Sequence, residues 1–355
     1  MKTAGLLIDW LTLRIPLSDK QLGFDLHQRV MNARMHIQCF DSEGVKKWEK
    51  ASLDFDALRS DTVGLCWMMQ GDGVQYYLVI GGSPASLNHG LNVFGDLDIR
   101  AGAETLIRAA QRGLQAILPP LDRWQCRRID ITGNYLLPDA SSVKQALRML
   151  MNTDAARRRA TSAKRGGDTV MWNTTSDLTK GKAYHKGPQL LFSCRRHNLD
   201  VTPEQIEMAD RLLRLEHTRG ARWFRREEED GRRWQDLTSE KLEECYLEFF
   251  ERLVEGVEVK DMDRMTLVEL IQNSNNITEG RAEAAFTTYR NIRADGLEVV
   301  KGFMAKSTFY RHLRYLRNVG ITDSDLYNSN VFPIRPVRIV LAQPVSSWED
   351  IRRVA

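Results

Sequence analysis

Arg127-Arg128-Ile129-Asp130-Ile131-Thr132 decides how this chain folds. Charged and β-branched residues alternate there, and successive side chains of a strand point to opposite faces. Read as a strand from Arg127 to Leu137, stopped by Pro138, it puts Arg128, Asp130 and Thr132 on one face. Ile129 and Ile131 then face a core. Leu213-Arg214-Leu215-Glu216-His217-Thr218 repeats the pattern, with Arg214, Glu216 and Thr218 opposite Leu213 and Leu215. A third stretch, Gly181-Lys182-Ala183-Tyr184-His185-Lys186-Gly187-Pro188, is too short and broken for a helix. As a strand it aligns Tyr184 with Lys186, which on a helix would not face each other. Three such strands would gather their polar groups on one face of a sheet.

Working outward, Leu6 to Ile15 and Val74 to Ile80 also read as strands, the second closed by Gly81-Gly82. Thr169 to Trp172 and Lys182 to Lys186 read as two strands joined through Asn173 to Asp177. Ala103 to Ile117 has helical spacing, with Leu106, Ile107, Ala110, Leu114 and Ile117 on one side. Ser141 to Met151 looks like a helix capped by Ser141 or Ser142. Thr202-Pro203-Glu204 is a helix start, with cap, N1 proline and first-turn acid, for a helix reaching about Arg211. After about Trp234 the texture changes to helical patterns over Ser239 to Val254, Met265 to Gln272, Ala282 to Arg293 and Ser307 to Val319. The expected fold is α+β. Residues 1–238 form an antiparallel sheet with packed helices, and 239–355 a mostly helical domain.

The 355 residues allow two domains, and 42% hydrophobic with 28% charged residues fits a globular protein. A net charge of +4 says little about partners, but its distribution says more. Ala155 to Gly167 holds Arg157, Arg158, Arg159, Lys164 and Arg165 with no acid, and from Arg219 to Arg233 there are six arginines around the acidic block Glu227 to Asp230. Such clustering suits phosphate contacts, or a solvated basic loop. The five cysteines are widely spaced and lack CxxC pairs, which argues for a reducing compartment without a disulfide frame or zinc knuckle. Asp9 interrupts the short apolar N-terminus, so it reads neither as a signal peptide nor as a membrane span. A cytoplasmic protein is expected.

If the three strands meet, Asp130 and Glu216 are hard oxygen ligands suited to Mg²⁺ or Mn²⁺. Tyr184 would be a nucleophile toward a phosphodiester. A phenol titrates near ~10, so the metal or Lys186 would have to favour the phenolate. Arg128 and Arg214 would hold flanking phosphate oxygens. Arg-x-Asp and Arg-x-Glu on neighbouring strands also occur as structural ion pairs. His185 and His217 read either as ligands or as packed residues.

At this point the residues resemble a known family, the gene II replication initiators of filamentous bacteriophages and the related phage and plasmid II/X replication proteins. Leu7-Ile8-Asp9-Trp10-Leu11-Thr12-Leu13-Arg14-Ile15-Pro16 looks like their N-terminal signature. Gly82-Ser83-Pro84-Ala85 with Asn92-Val93-Phe94-Gly95 is similar to a second block, and Arg128-Ile129-Asp130 to a third. Thr169 to Ser176, with Tyr184 eleven residues after Asn173, matches the segment that holds the family's nicking tyrosine. Leu213 to Glu216 matches the last block. The resemblance implies a site-specific, metal-dependent endonuclease that nicks the double-stranded replicative form at the phage origin. Tyrosine keeps the 5′ phosphate, the 3′ hydroxyl primes rolling-circle synthesis, and the phosphotyrosyl bond later rejoins the displaced circle. Host helicase and polymerase would be partners. The wider group is related to the HUH endonucleases, but none of the seven histidines here forms a His-x-His pair. Asp130 and Glu216 would serve in its stead.

Val300 to Ile321 resembles a helix-turn-helix. Ser307, Thr308, Tyr310, Arg311 and Arg314 are its groove-facing candidates, and Pro333 to Ala342 would be a strand or wing after it. An amphipathic helix with a basic solvent face is the other reading. Two further functions compete with the nickase: a non-catalytic origin- or single-strand-binding regulator, and a relaxase or transposase of a mobile element.

Overall fold

The computed structural model describes residues 5–18, 22–33, 36–51, 55, 58, 64–152, 161–162, 169–254, 264–319, 321 and 343–354. The basic stretch with Arg157, Arg158 and Arg159 lies outside these, as does the expected strand from Pro333 to Ala342.

The fold is α+β with an antiparallel sheet, as expected. In chain order the elements are β1 (Leu6–Pro16), α1 (Phe24–Ala33), β2 (His36–Phe40), β3 (Lys46–Ala51), β4 (Leu65–Gly71) and β5 (Tyr76–Gly82). Next come α2 (Pro84–His89), α3 (Ile99–Leu114), β6 (Gln125–Leu136), α4 (Ala140–Asn152), β7 (Thr161–Ser162), β8 (Thr169–Trp172) and β9 (Thr179–His185). Then follow α5 (Lys186–His197), α6 (Pro203–Ala209), β10 (Leu212–Arg219), α7 (Ala221–Glu229) and α8 (Ser239–Val254). The chain ends in α9 (Arg264–Asn275), α10 (Glu279–Asp295), α11 (Leu297–Phe303), α12 (Lys306–Asn318) and α13 (Trp348–Val354). It forms two compact units, one of residues 1–138, 171–251 and 342–355, the other of 139–170 and 252–341.

In the first unit the strands neighbour one another in the order β3-β2-β4-β5-β1-β6-β10-β9-β8. Asn134 lies opposite Arg214, Thr132 opposite Glu216 and Asp130 opposite Thr218, and across the next pair Arg214 faces Tyr184 and Glu216 faces Lys182. The alternation read from the sequence therefore holds, and the polar residues of β6, β10 and β9 share a face. A register shift between Ile8 and Trp10 of β1 marks a bulge at Asp9.

The opposite face is apolar and covered by helices. Helix α8 packs there: Phe249 stacks on His217 at 4.5 Å between ring centroids, and the Tyr246 and Tyr135 hydroxyls meet at 3.0 Å. Gly181 admits this helix, since a Cβ there would lie 2.1 Å from Phe249 Cε1. The helical texture that starts at Ser239 thus begins inside the first unit. Its last helix, α13, packs near α6, with Trp348 edge-on to Phe94 at 5.0 Å.

Several local readings shift. Helix α3 ends at Leu114 because Gln115 turns left-handed at φ 48, so Ile117 is exposed and not on the buried side. Helix α4 is capped by the Asp139 carboxylate, which accepts from the Ser142 N–H at 2.7 Å, not by either serine. Helix α6 carries the Thr202/Gln205 capping box and stops at Ala209, short of Arg211. In the second unit Ile271, Ala285, Ile292, Val300, Phe309, Leu313 and Leu316 form a helical core.

Candidate active site

Four strands and one loop build the site. Tyr184 on β9 is 4% exposed, and its hydroxyl donates to Glu216 Oε1 on β10 at 2.5 Å. Glu216 Oε2 takes the Lys182 ammonium at 3.2 Å, and Lys182 Nζ lies 4.1 Å from the centroid of the Tyr184 ring. Arg214, two residues before Glu216 on the same face, is wholly buried. Its Nη2 approaches Asp9 Oδ1 to 2.7 Å and its Nε approaches Glu216 Oε1 to 3.4 Å. Both are ion pairs by distance, and neither nitrogen is counted in a hydrogen bond. A true hydrogen bond runs from Arg214 Nη1 to the Asn92 carbonyl at 2.7 Å. Asn92, on the loop after α2, also donates from Nδ2 to Asp9 Oδ1 at 2.8 Å.

A second cluster adjoins on β6. Arg128 grips Asp130 with two bonds, Nε to Oδ1 at 2.9 Å and Nη2 to Oδ2 at 2.6 Å. Thr218 adds a hydroxyl bond to Asp130 Oδ1 at 2.8 Å. The remaining guanidinium nitrogen, Nη1, donates to the Leu58 carbonyl at 3.0 Å.

Burial sets the protonation states. It pushes the Tyr184 phenol well above its ordinary value, and the Glu216 charge adds to that. Burial opposes ionisation of Glu216 too, but Lys182 and Arg214 outweigh it and hold the carboxyl down at about 2. Burial raises Asp9 to about 7 against the pull of Arg214. In this arrangement a neutral phenol hydrogen-bonds an ionised carboxylate.

The structure brings Tyr184, Glu216, Arg214, Arg128 and Asp130 to one sheet face, alters two expectations and decides one open reading. Strand β9 ends at His185, so Lys186 is the first residue of α5 and does not share Tyr184's strand face. Its ammonium is buried and donates to Asn92 Oδ1 at 3.0 Å and Gln189 Oε1 at 2.7 Å. The cation beside the phenol is Lys182. Arg214 and Arg128 are committed to carboxylates, and Arg214 is not presented to a phosphate at all; buried guanidinium is kept here by buried acid. His185 and His217 are packed residues: His185 Nε2 meets the Asp210 carbonyl at 2.7 Å, and His217 Nε2 meets Thr179 Oγ1 at 2.9 Å. Asp9, Asn92 and Lys182 were not read as site residues. Asp9 had a signal, an acid inside an apolar strand, and so did Lys182, two residues before Tyr184 on the same strand.

For the expected Mg²⁺ or Mn²⁺ the site offers two carboxylates on neighbouring strands, Asp130 and Glu216. Among the described residues no three His, Cys, Asp or Glu side chains converge as a ligand set. Asp130 and Glu216 are each held by fixed cations, and a metal would have to displace Lys182 from Glu216.

An α+β chain with a tyrosine, a carboxylate and a lysine on an antiparallel face matches a recognised sequence family. Residues 7–240 match the model for the N-terminal part of the replication-associated gene II protein, and residues 271–347 the model for its C-terminal part. The chain belongs to this family of replication-associated proteins, as the sequence blocks had indicated. It is 24% identical to the replication-associated gene II protein of Enterobacteria phage fd and to that of M13, covering 98% of this chain and 100% of each relative. The corresponding protein of Salmonella phage IKe is 24% identical over 75% of this chain and 73% of its own length. A solved rolling-circle replication initiator from Geobacillus stearothermophilus aligns with 61% of this chain and 74% of its own at 10% identity, with a TM-score of 0.25, too slight a likeness to bear on the fold. No helix among the described residues is long and apolar enough to cross a membrane.

Proposed function

We propose that this protein initiates rolling-circle replication by nicking one strand of a phage or plasmid origin, with Tyr184 as nucleophile. The observation that carries the reading is the 2.5 Å bond from the Tyr184 hydroxyl to Glu216. A nucleophile with a base in hydrogen-bond contact, itself oriented by a third group, is what covalent catalysis needs; here Arg214 and Asp9 orient the base. In the step, Tyr184 Oη bonds to phosphorus as its proton passes to Glu216. The bond from phosphorus to the 3′ oxygen breaks, and that oxygen takes a proton from water. The 5′ phosphate stays on tyrosine and the 3′ hydroxyl is free for a host polymerase to extend while a host helicase unwinds the duplex. Attack by a later 3′ hydroxyl on the phosphotyrosyl bond reverses the step and closes the displaced strand. Arg128 and Asp130 brace the neighbouring strand. No step is assigned to a metal.

Origin reading belongs, in this proposal, to the second unit. Helix α12 buries Phe309, Leu313 and Leu316 and leaves Ser307, Tyr310, Arg311 and Arg314 exposed, with Thr308 half-buried. It follows α11 after only Met304 and Ala305. That supports a helix-turn-helix on duplex DNA.

The test is a supercoiled plasmid carrying the candidate origin, incubated with Mg²⁺, with Mn²⁺ and with EDTA. Open circles and a covalent protein–DNA adduct are expected from the wild type, and neither from Tyr184→Phe. Undiminished nicking by that variant moves the nucleophile elsewhere. Origin binding without any nick would favour the non-catalytic regulator.

A further inference from the structure

We propose that Lys182, not Lys186, is the cation that receives the scissile phosphate, by exchanging its contact with Glu216 for a phosphoryl oxygen. This rests on the nicking reading.

Three observations point to Lys182. It alternates with Tyr184 on β9, so both side chains rise from one face, opposite Glu216 and Arg214. Its ammonium is 3.2 Å from Glu216 Oε2, while the other oxygen of that carboxylate takes the phenol hydrogen bond. The three groups therefore form one closed contact around the attacking oxygen. Finally, Lys182 is the most exposed charge of the two clusters. Its side chain is 29% exposed, against 5% for Glu216, 0% for Arg214 and 16% for Arg128. A strand arriving from solvent meets Lys182 before any other cation of the site.

Lys186 lacks these properties. It is buried at the start of α5, and its donors go to Asn92 and Gln189. It fixes the loop that orients Asp9 and so acts on the site at one remove.

An ammonium has three donors and no acceptor, and one of them is already directed at Glu216. A compact point charge suits a phosphoryl oxygen whose negative charge grows as the bond to tyrosine forms. Lys182 keeps its proton throughout, so the step needs no further reactant. The phenol proton still passes to Glu216, and the leaving 3′ oxygen still takes one from water.

The experiment measures single-turnover adduct formation on the supercoiled origin plasmid by the full chain, alongside origin-DNA affinity. Lys182→Ala should slow the adduct about 100-fold, the loss expected for one electrostatic donor at a developing charge, with affinity within about twofold. Added methylammonium should restore part of the rate to Lys182→Ala and leave the wild type unchanged, a response that a structural role would not give. Lys182→Gln, which keeps a donor for Glu216 but no charge, covers the case in which alanine impairs folding, and it should be equally slow. Lys182 variants as fast as wild type, or a folded, slow Lys182→Ala indifferent to methylammonium, overturn the proposal alone. A wild type that forms no adduct overturns the nicking reading and this proposal with it.

Discussion

At the scale of single residues, the centre of the site is Arg214. It is wholly buried between two acids, Asp9 at 2.7 Å and Glu216 at 3.4 Å. Such a cluster adds little net stability over an apolar one, yet removing one partner leaves a charge stranded in a poor solvent. Arg214→Met should therefore lower stability by about 3–5 kcal/mol, read from the urea midpoint of tryptophan fluorescence. Adding Asp9→Asn should return part of that loss, because Glu216 keeps Lys182 and Tyr184 while Asp9 is the carboxyl left without its ion-pair partner. A loss under about 1 kcal/mol, the range of a surface pair, would show that the acids find other partners. Much of this centre was legible, because strand alternation alone put Arg214 and Glu216 together. Lys182 was legible in the same way but passed over, whereas Asp9 had only the weak signal of an acid in an apolar strand. Alternation gives faces, but it gives neither the bulge that turns Asp9 inward nor the residue at which β9 becomes α5. Lys186 was misplaced for that second reason.

At the scale of elements, long periodic segments were easy and short ones were not. Strand β6 and helix α8 lie where their patterns put them. Helix α1 and strands β2, β3 and β4 carry short, mixed patterns whose faces only the tertiary partners define. Caps went astray likewise, since Asp139 and two serines compete for one helix start. Polar links between helices have no sequence signal, and one of them is testable. The buried His312 ring on α12 meets Thr288 Oγ1 on α10 at 2.7 Å, a contact between helices of the second unit. Burial, and then the neighbouring Arg311, holds this imidazole below its ordinary value of 6.5. A depressed folded value means that the neutral ring is favoured. Its contribution is present above the unfolded pKa, near ~6.5, and is lost as pH falls through the folded value. Thermal unfolding followed by circular dichroism should thus weaken between pH 7.5 and pH 5, and His312→Gln should show a smaller drop. An equal drop in the variant would place the acid sensitivity in other groups.

At the scale of the molecule, the proposed function gives two jobs to two units. On the nicking proposal, the first unit's tyrosine site has little to distinguish one sequence from another, because phosphate and proton are the same at every step of a strand. Selecting an origin needs a surface that meets base edges and backbone. Helix α12 is suited to it: Lys306, Arg311, Arg314 and Arg317 are exposed, and Lys306–Asn318 contains no acid. If these arginines contact phosphates, each releases condensed counterions, and affinity falls with salt at a slope of about −0.9 per contact. Arg311→Ala with Arg314→Ala should therefore reduce the slope of log affinity against log salt by about 2, with weaker binding to origin and unrelated duplexes alike. Tyr310, 52% exposed on the same helix, is the better probe of sequence reading. Tyr310→Ala should lower the preference for the origin more than it lowers binding to unrelated DNA. The same variants should still cut a single-stranded origin oligonucleotide at the wild-type rate, because that substrate asks only for the tyrosine site. Fluorescence anisotropy at 50 to 300 mM salt, about the range over which such slopes are read, would decide it. An unchanged salt slope in the double variant would remove α12 from the duplex interface.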